Sequence, residues 1–273
     1  MHVVEVNDLS FSCRTVYEGQ PVYGVSFEVD KGEIFAIAGT GESGKSTVVR
    51  HLNALLLPES GSVSVCGTDT ANGDNWAAVR KKCGMVFPDS GARFFTSSVG
   101  EEISFALNCA GIAPENIHEK AGAYLELVGM AGREKERIAA LTEYEKLCVQ
   151  IAAVFAVETE VLVFDNAASR IYGKDRESYF DLLQKLRGGG KTLVLCTSAF
   201  DEAAAADRVL LLAGGKALKC GETRSVLSDM ELLEKAGIEP AFPMRVYHDL
   251  LDSDIKLARP PLNMRELVDE LCL

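Results

Sequence analysis

The sequence predicts an α/β protein whose core is a parallel sheet, and three observations carry that prediction. Short runs at residues 33–38, 83–87, 161–164, 192–196 and 209–212 are apolar on both faces, as strands covered on both sides must be. Helical patterns separate most of them. A glycine-rich loop at 39–47, GTGESGKST, joins the first of these strands to a helix.

Strand-like runs at 3–6 and 23–29 open the chain, the second with alternating polarity. Lys31-Gly32 marks a turn before the strand at 33–38. Residues 46–56 then predict a helix stopped by Pro58, and 61–66 a strand between turn residues. The strand at 83–87 ends at Pro88, after which helices are expected over 99–107, 121–128 and 146–157. In the last of these Leu147, Ile151, Val154 and Phe155 share one face. The strand at 161–164 closes on Asp165, and Tyr179, Leu182, Leu183 and Leu186 make an amphipathic helix broken at Gly188–Gly190. Two buried strands follow, and the chain finishes in a helical tail punctuated by Pro240, Pro243, Pro260 and Pro261. The stretch 89–157 has the look of a helical insertion into the strand–helix alternation.

The chain has 273 residues, 47% hydrophobic and 25% charged, enough for one large domain or one domain with a small appendage. A net charge of −12 argues against nucleic acid as main partner and against adhesion to anionic lipid through a basic patch. The opening MHVVEVNDLSF lacks the basic and apolar regions of a signal peptide, and no apolar run has the length to cross a bilayer, so any membrane role is expected to come through a partner. The eight cysteines form no C-x-x-C pair, and the four histidines make no zinc spacing with them, which predicts reduced, mostly buried thiols in the cytosol.

Gly39-x-x-x-x-Gly44-Lys45-Ser46 matches the P-loop pattern in full, with a strand before it and a helix after it. Backbone N–H groups of Gly39, Thr40, Gly41, Glu42, Ser43, Gly44, Lys45, Ser46 and Thr47 form the expected cradle for the phosphates of a nucleoside triphosphate, ATP with magnesium. Lys45 is expected to reach the β- and γ-phosphates and the Ser46 hydroxyl to sit on Mg2+. Asp165, closing a buried strand, fits a carboxylate that orients the same metal.

The order of segments resembles the ATP-binding cassette proteins, and among them the ATPase subunits of energy-coupling factor transporters. GVSFEVDKGEIFAIAGTGESGKST is similar to that family's first strands and P-loop. GMVFPDS with SSVGEEISFAL resembles its Q-loop and the helical segment after it; DEAAAADRVLLLAGGKALKCGET looks like its final strands, and MELLEKAGIEP through PPLNMRELVDELC like its small C-terminal region. The resemblance implies a RecA-like P-loop NTPase core over residues 1–225, with an ABC-type helical subdomain at about 89–157, and a C-terminal helical region at 226–273. It implies a peripheral subunit on the cytoplasmic face of the membrane. Such a subunit pairs with a second ATPase, docks on a transmembrane coupling subunit and serves uptake of the vitamin or metal-ion class. It also implies that Tyr17 stacks on adenine, and that the helix near Ser98–Leu107 is the docking surface, with Glu101 and Glu102 facing basic coupling helices.

The departures from the family are concentrated at its catalytic positions. Pro88 replaces the glutamine that contacts magnesium and the attacking water. Asn166 replaces the catalytic glutamate; an amide holds a water by hydrogen bonds but cannot take its proton. Ser198 replaces the switch histidine. The signature reads Leu141-Thr142-Glu143-Tyr144-Glu145 in place of Leu-Ser-Gly-Gly-Gln, so Glu143 and Tyr144 are expected to obstruct the helix N-terminus that meets the partner's ATP. Ser169-Arg170-Ile171-Tyr172 lacks the family's Leu-Asp pair. In the P-loop, Glu42 stands where glycine is usual and Gly41 sits one place early, with an expected repulsion of about 1 kcal/mol and, should residue 42 need positive φ, a further strain of about 1 kcal/mol.

Together these changes predict a chain that binds ATP or ADP but hydrolyses it slowly or not at all, as one half of a heterodimer. Two alternatives stand beside it: a transport motor subunit, and a nucleotide-sensing or scaffolding module with no catalysis. A soluble P-loop kinase or switch GTPase fits less well, because the later segments are ordered differently and no Asn-Lys-x-Asp guanine reader is present. The transported substrate is not encoded here; in the family it is chosen by a separate membrane protein.

Overall fold

The computed structural model describes residues 1–12, 19–88, 94–157, 159–253 and 257–272. Two sheets form the centre. The larger contains β3 (Ile34–Ala38), β6 (Cys83–Val86), β7 (Val161–Asp165), β8 (Thr192–Thr197), β9 (Arg208–Ala213) and β10 (Lys216–Glu222), in the order β10-β9-β3-β8-β7-β6. From β9 to β6 every pairing is parallel, as predicted, and β10 closes the edge antiparallel to β9. The smaller sheet is antiparallel: β1 (His2–Phe11), β2 (Val22–Asp30), β4 (Ser60–Val65) and β5 (Thr68–Asp69), in the order β2-β1-β4-β5.

The apolar-on-both-faces strands have a simple cause. Successive side chains of β3 point opposite ways. Phe35 and Ile37 enter a core shared with Val4, Val6, Val25 and Val63 of the small sheet, while Ile34, Ala36 and Ala38 enter a second core against the helices. β7 divides likewise, Val161 and Val163 to one side, Leu162 and Phe164 to the other. The alternation at residues 23–29 reflects β2's place in the one-sided small sheet, where Val25, Phe27 and Val29 are buried and Ser26 and Glu28 exposed.

Helix α1 (Lys45–Leu52) follows β3 and stops four residues short of the predicted end, because Ala54 takes a φ of 51°, which no right-handed helix continues. The short α2 (Trp76–Lys82), unpredicted, leads into β6. Between β6 and β7 come α3 (Val99–Cys109), α4 (Pro114–Leu127) and α5 (Glu143–Val154), which pack on one another through Ile103, Leu107, Leu125, Leu147 and Ile151. Helix α6 (Lys174–Gly188) buries Tyr179, Leu182, Leu183 and Leu186, the face expected of it. After β8 and α7 (Phe200–Ala204) the chain ends in α8 (Thr223–Leu227), α9 (Met230–Ala236), α10 (Phe242–Asp252) and α11 (Met264–Leu271). Arg224 of α8 pairs with Glu266 of α11 at 2.7 Å, tying the tail back. Among the described residues, no helix is long and apolar enough to cross a membrane.

Candidate nucleotide site

Parallel register brings the carboxyl ends of β3, β7 and β8 side by side, with Ala38 opposite Thr197 and Asp165 opposite Cys196. In open α/β sheets that edge is where ligands bind. The glycine loop leaves β3 there. Gly39 N–H donates to Thr197 O at 3.2 Å, Ser43 N–H to Thr40 O at 3.2 Å and Ser43 Oγ to Thr40 O at 2.9 Å. Gly44, with φ 96°, turns the chain into α1; a Cβ there would stand 2.8 Å from Val22 Cγ1.

The Lys45 side chain is 2% exposed, and its ammonium donates to Gly39 O at 2.8 Å, to Thr40 O, and to Ser43 Oγ at 3.3 Å. Burial pushes its pKa down, while Cys196 and the Asp165 carboxylate pull the other way. A cation curled into its own loop in this way has only backbone dipoles and one carboxylate to balance it, so incoming phosphate oxygens are strong competitors for its donors.

Ser46 Oγ donates to Asp165 Oδ1 at 2.6 Å. Asp165 is 1% exposed; its Oδ2 is buried without a hydrogen bond, and Arg50 Nη2 lies 3.9 Å away. A serine hydroxyl beside a carboxylate with one uncommitted oxygen is a hard-oxygen donor set that fits Mg2+. Ser46 and Asp165 would hold the ion, whose chemistry there is to neutralise phosphate charge.

Two further predicted positions come together. Asn166, next after Asp165, and Ser198, next after β8, line one cleft of ≈ 310 Å³ with Ser169, Arg176 and Glu202. Asn166 has φ 51°, a left-handed conformation that asparagine tolerates better than glutamate does. The carboxylates of this cleft are committed. Asp201 grips Arg176 at 2.8 and 3.0 Å. Glu202, 2% exposed, accepts from Tyr179 Oη at 2.6 Å and Thr197 Oγ1 at 2.8 Å, and burial raises its pKa. Neither is a free base, and the Asn166 amide and Ser198 hydroxyl add none.

Several expectations change. Glu42 is exposed and is not among the residues of positive φ, so the strain foreseen there is absent; the charge repulsion alone remains. The Thr47 hydroxyl both donates to Gln20 O at 2.7 Å and accepts from Gln20 N–H at 3.1 Å, which makes that side chain a structural brace. Glu102 is buried, and its Oε2 accepts from Phe95 N–H, Thr96 N–H and Thr96 Oγ1 at 2.9–3.0 Å, so it caps the entry to α3 and cannot meet a partner's base. Glu101 is exposed. Pro88 follows β6 and brings no side-chain donor or acceptor. Tyr17 lies outside the described residues.

At the signature, Leu141 is buried and Thr142 caps α5 in a reciprocal capping box with Glu145: Glu145 N–H to Thr142 Oγ1 at 3.2 Å, and Thr142 N–H to Glu145 Oε2 at 2.8 Å. Glu145 also pairs with Arg133 at 2.5 Å, and Glu143 with Lys146 at 2.7 Å. Tyr144 turns inward, half-buried against the helical core, and its hydroxyl donates to Ser178 O of α6 at 3.2 Å. Arg50 and Thr197 are site neighbours that the motif reading missed. Arg50 was within reach of pattern reasoning, since it lies one turn after Ser46 on α1.

Residues 22–169 match the family model described as ABC transporter, and the chain belongs to the ABC transporter family. The chain is 31% identical over 249 residues to the energy-coupling factor transporter ATP-binding protein EcfA1 of Clostridium perfringens, covering 91% of this chain and 89% of that protein. It is 31% identical over 270 residues to EcfA1 of Bacillus subtilis, covering 98% and 96%. Among solved structures, cbiO1 of Clostridium perfringens, described as part of the ABC transporter complex cbiONQ, superposes with a TM-score of 0.77 at 22% identity over 92% of this chain and 99% of that one. That likeness carries the fold: a P-loop α/β cassette.

Proposed function

We propose that this chain is the nucleotide-holding subunit of an energy-coupling-factor type transporter, binding ATP with Mg2+ and turning it over slowly or not at all. The observation that carries the reading is the contrast within one sheet edge. Lys45, Ser46 and Asp165 keep the geometry of a phosphate and metal cradle. Asn166 and Ser198, beside them, offer no group that accepts a proton from water. The region 1–225 is read as the cassette, with 89–157 its helical subdomain and 226–273 a C-terminal region. The likeness to ATP-binding proteins of energy-coupling factor transporters supports a chain that works with membrane partners and a second ATPase subunit; its place on the cytoplasmic face and the uptake of a vitamin or metal ion belong to the same proposal.

Docking is best supported at a groove of ≈ 730 Å³ between the end of β6 and helices α3 and α5, walled by Met85, Phe87, Phe94, Phe95, Phe105 and Ala106. Phe95 is 79% and Phe105 40% exposed, and their rings stand 5.1 Å apart. Gln150 in the same wall has both amide atoms buried without a hydrogen-bond partner. An amphipathic helix offering apolar side chains and one polar group complements such a groove. Titration of the purified chain with ATP and Mg2+, then turnover alone and with its ATPase and membrane partners, tests the proposal. Turnover at about 1 per second or faster from this chain's own P-loop would refute it.

A further inference from the structure

We infer that the C-terminal helical segment fixes the shape of the phosphate loop, and that Gly237 is the positioning residue through which it does so. This rests on the reading of residues 39–47 as a nucleotide site. The peptide unit between Gly39 and Thr40 joins the two regions. Its N–H donates to Ala236 O, at the end of α9, at 3.1 Å. Its carbonyl, that of Gly39, accepts from the Lys45 ammonium at 2.8 Å. The unit is planar, so its two ends cannot move independently. A shift at the Ala236 end displaces the acceptor that orients the phosphate-facing lysine.

The α9 end is firmly placed. Gly237 caps the helix at φ 64°, its N–H donating to Glu234 O at 3.0 Å and the Ile238 N–H to Leu233 O at 2.9 Å, the pattern of a Schellman motif. The last carbonyls of a helix need outside partners, and Ala236 O finds the Thr40 N–H. Leu233, Ala236 and Ile238 are buried in the helical core. On the other side, Thr40 is exposed. The contact itself leaves no slack: a Cβ at Gly237 would stand 2.2 Å from Thr40 Cγ2. With Leu233, Ala236 and Ile238 buried and Thr40 exposed, a side chain at 237 makes Thr40 turn its side chain or shift with the loop, and Thr40 is the residue whose N–H Ala236 holds. By reciprocity, nucleotide that orders the loop also tightens α9, and occupancy is thereby reported to the C-terminal region.

The test is ATP–Mg2+ titration of the full chain as wild type, Gly237→Ala, Thr40→Ser and the double variant, with amide hydrogen exchange of the wild type at 230–238 measured with and without ATP. Gly237→Ala should weaken binding about 10-fold. In the Thr40→Ser background, which removes Cγ2, the same substitution should cost clearly less, and ATP should slow exchange at 230–238 in the wild type. Equal losses in both backgrounds, unchanged affinity of Gly237→Ala, or exchange at 230–238 indifferent to ATP would each overturn the inference. The exchange measurement needs no variant, so it decides even where Gly237→Ala fails to fold. Wild-type chain that binds no ATP would instead remove the nucleotide reading itself, and the inference with it.

Discussion

Restoring the family's signature at the head of α5, by Thr142→Ser, Glu143→Gly and Tyr144→Gly together, should cost the protein much of its stability. Tyr144 is half-buried on the helical core and bonded through its hydroxyl to Ser178 O of α6 at 3.2 Å. Removing a fully buried aromatic costs about 3–5 kcal/mol, so half-burial sets this loss at about 2 kcal/mol. The hydrogen bond adds about 1 kcal/mol. Two glycines in the first turn add about 1 kcal/mol, less than in a helix interior. Loss of the Glu143–Lys146 pair, 2.7 Å apart, adds about 0.3 kcal/mol. Serine keeps the cap at 142. The total of about 4 kcal/mol lowers the melting temperature by about 8–16 °C in a chain of this size. Thermal unfolding by circular dichroism measures it, and a fall of less than about 3 °C would refute the packing described for Tyr144. Turnover with the proposed ATPase partner present is measured in the same preparation at a temperature well below either midpoint. A gain in rate despite the lower midpoint identifies the signature as the limiting defect, and no gain argues against it.

Asn166→Glu should lower the melting temperature by about 2–4 °C, the effect of roughly 1 kcal/mol of left-handed strain at φ 51°, and should leave turnover slow because Ser198 and Pro88 are unchanged; a higher midpoint would contradict the backbone conformation. Ser46→Ala removes the hydroxyl 2.6 Å from Asp165 and should weaken binding of ATP–Mg2+ about 10-fold by calorimetry, with equal affinity in the two proteins counting against the metal assignment. Glu202→Gln should alter the pH dependence of stability in a defined direction. Burial raises the folded-state pKa of Glu202 above its ordinary 4.5, so the wild type is relieved of the buried charge at and below that pH and loses this stability as pH rises through the raised value. The glutamine variant has no such loss, so its melting temperature relative to wild type should climb as pH rises from 4.5, and a flat or falling difference would refute the assignment.

The phosphate loop and the parallel sheet were legible because their signals are local. A both-faces apolar run such as 161–164 and a strand–glycine–helix order such as 33–52 depend on residues close together in sequence. What stayed hidden was decided by distant partners. The inward turn of Tyr144 depends on Ser178, the burial of Glu102 on the N–H groups of Phe95 and Thr96, and the bond from Thr40 on Ala236. Helix α2 was not foreseen, and strand β10 was legible only through the family resemblance of residues 201–223, for a related reason. Trp76–Lys82 holds only one buried side chain, Val79, and Lys216–Glu222 runs along an exposed edge, so neither carries the apolar period by which elements are recognised.

The positions that depart from the family's pattern fall into two kinds, and the difference bears on what a substitution toward that pattern would cost. At Tyr144, Glu145 and Asn166 the fold has closed around the residue present: an aromatic packed on α6, an ion pair to Arg133 and a left-handed turn that suits an amide. Reverting these costs stability, which a natural chain with about 5–15 kcal/mol to lose can bear only a few times. Ser198 and Pro88 are different. Ser198 is exposed and lines the cleft, and Pro88, half-buried just past β6, has no side-chain hydrogen-bonding group to commit. The phosphate cradle has kept its own contacts, from Lys45 to Gly39 and from Ser46 to Asp165. On the proposed reading, then, substitutions toward the family's pattern at Tyr144 and Asn166 would have to break contacts at α5 and at the turn after β7 before any added catalytic group could be of use.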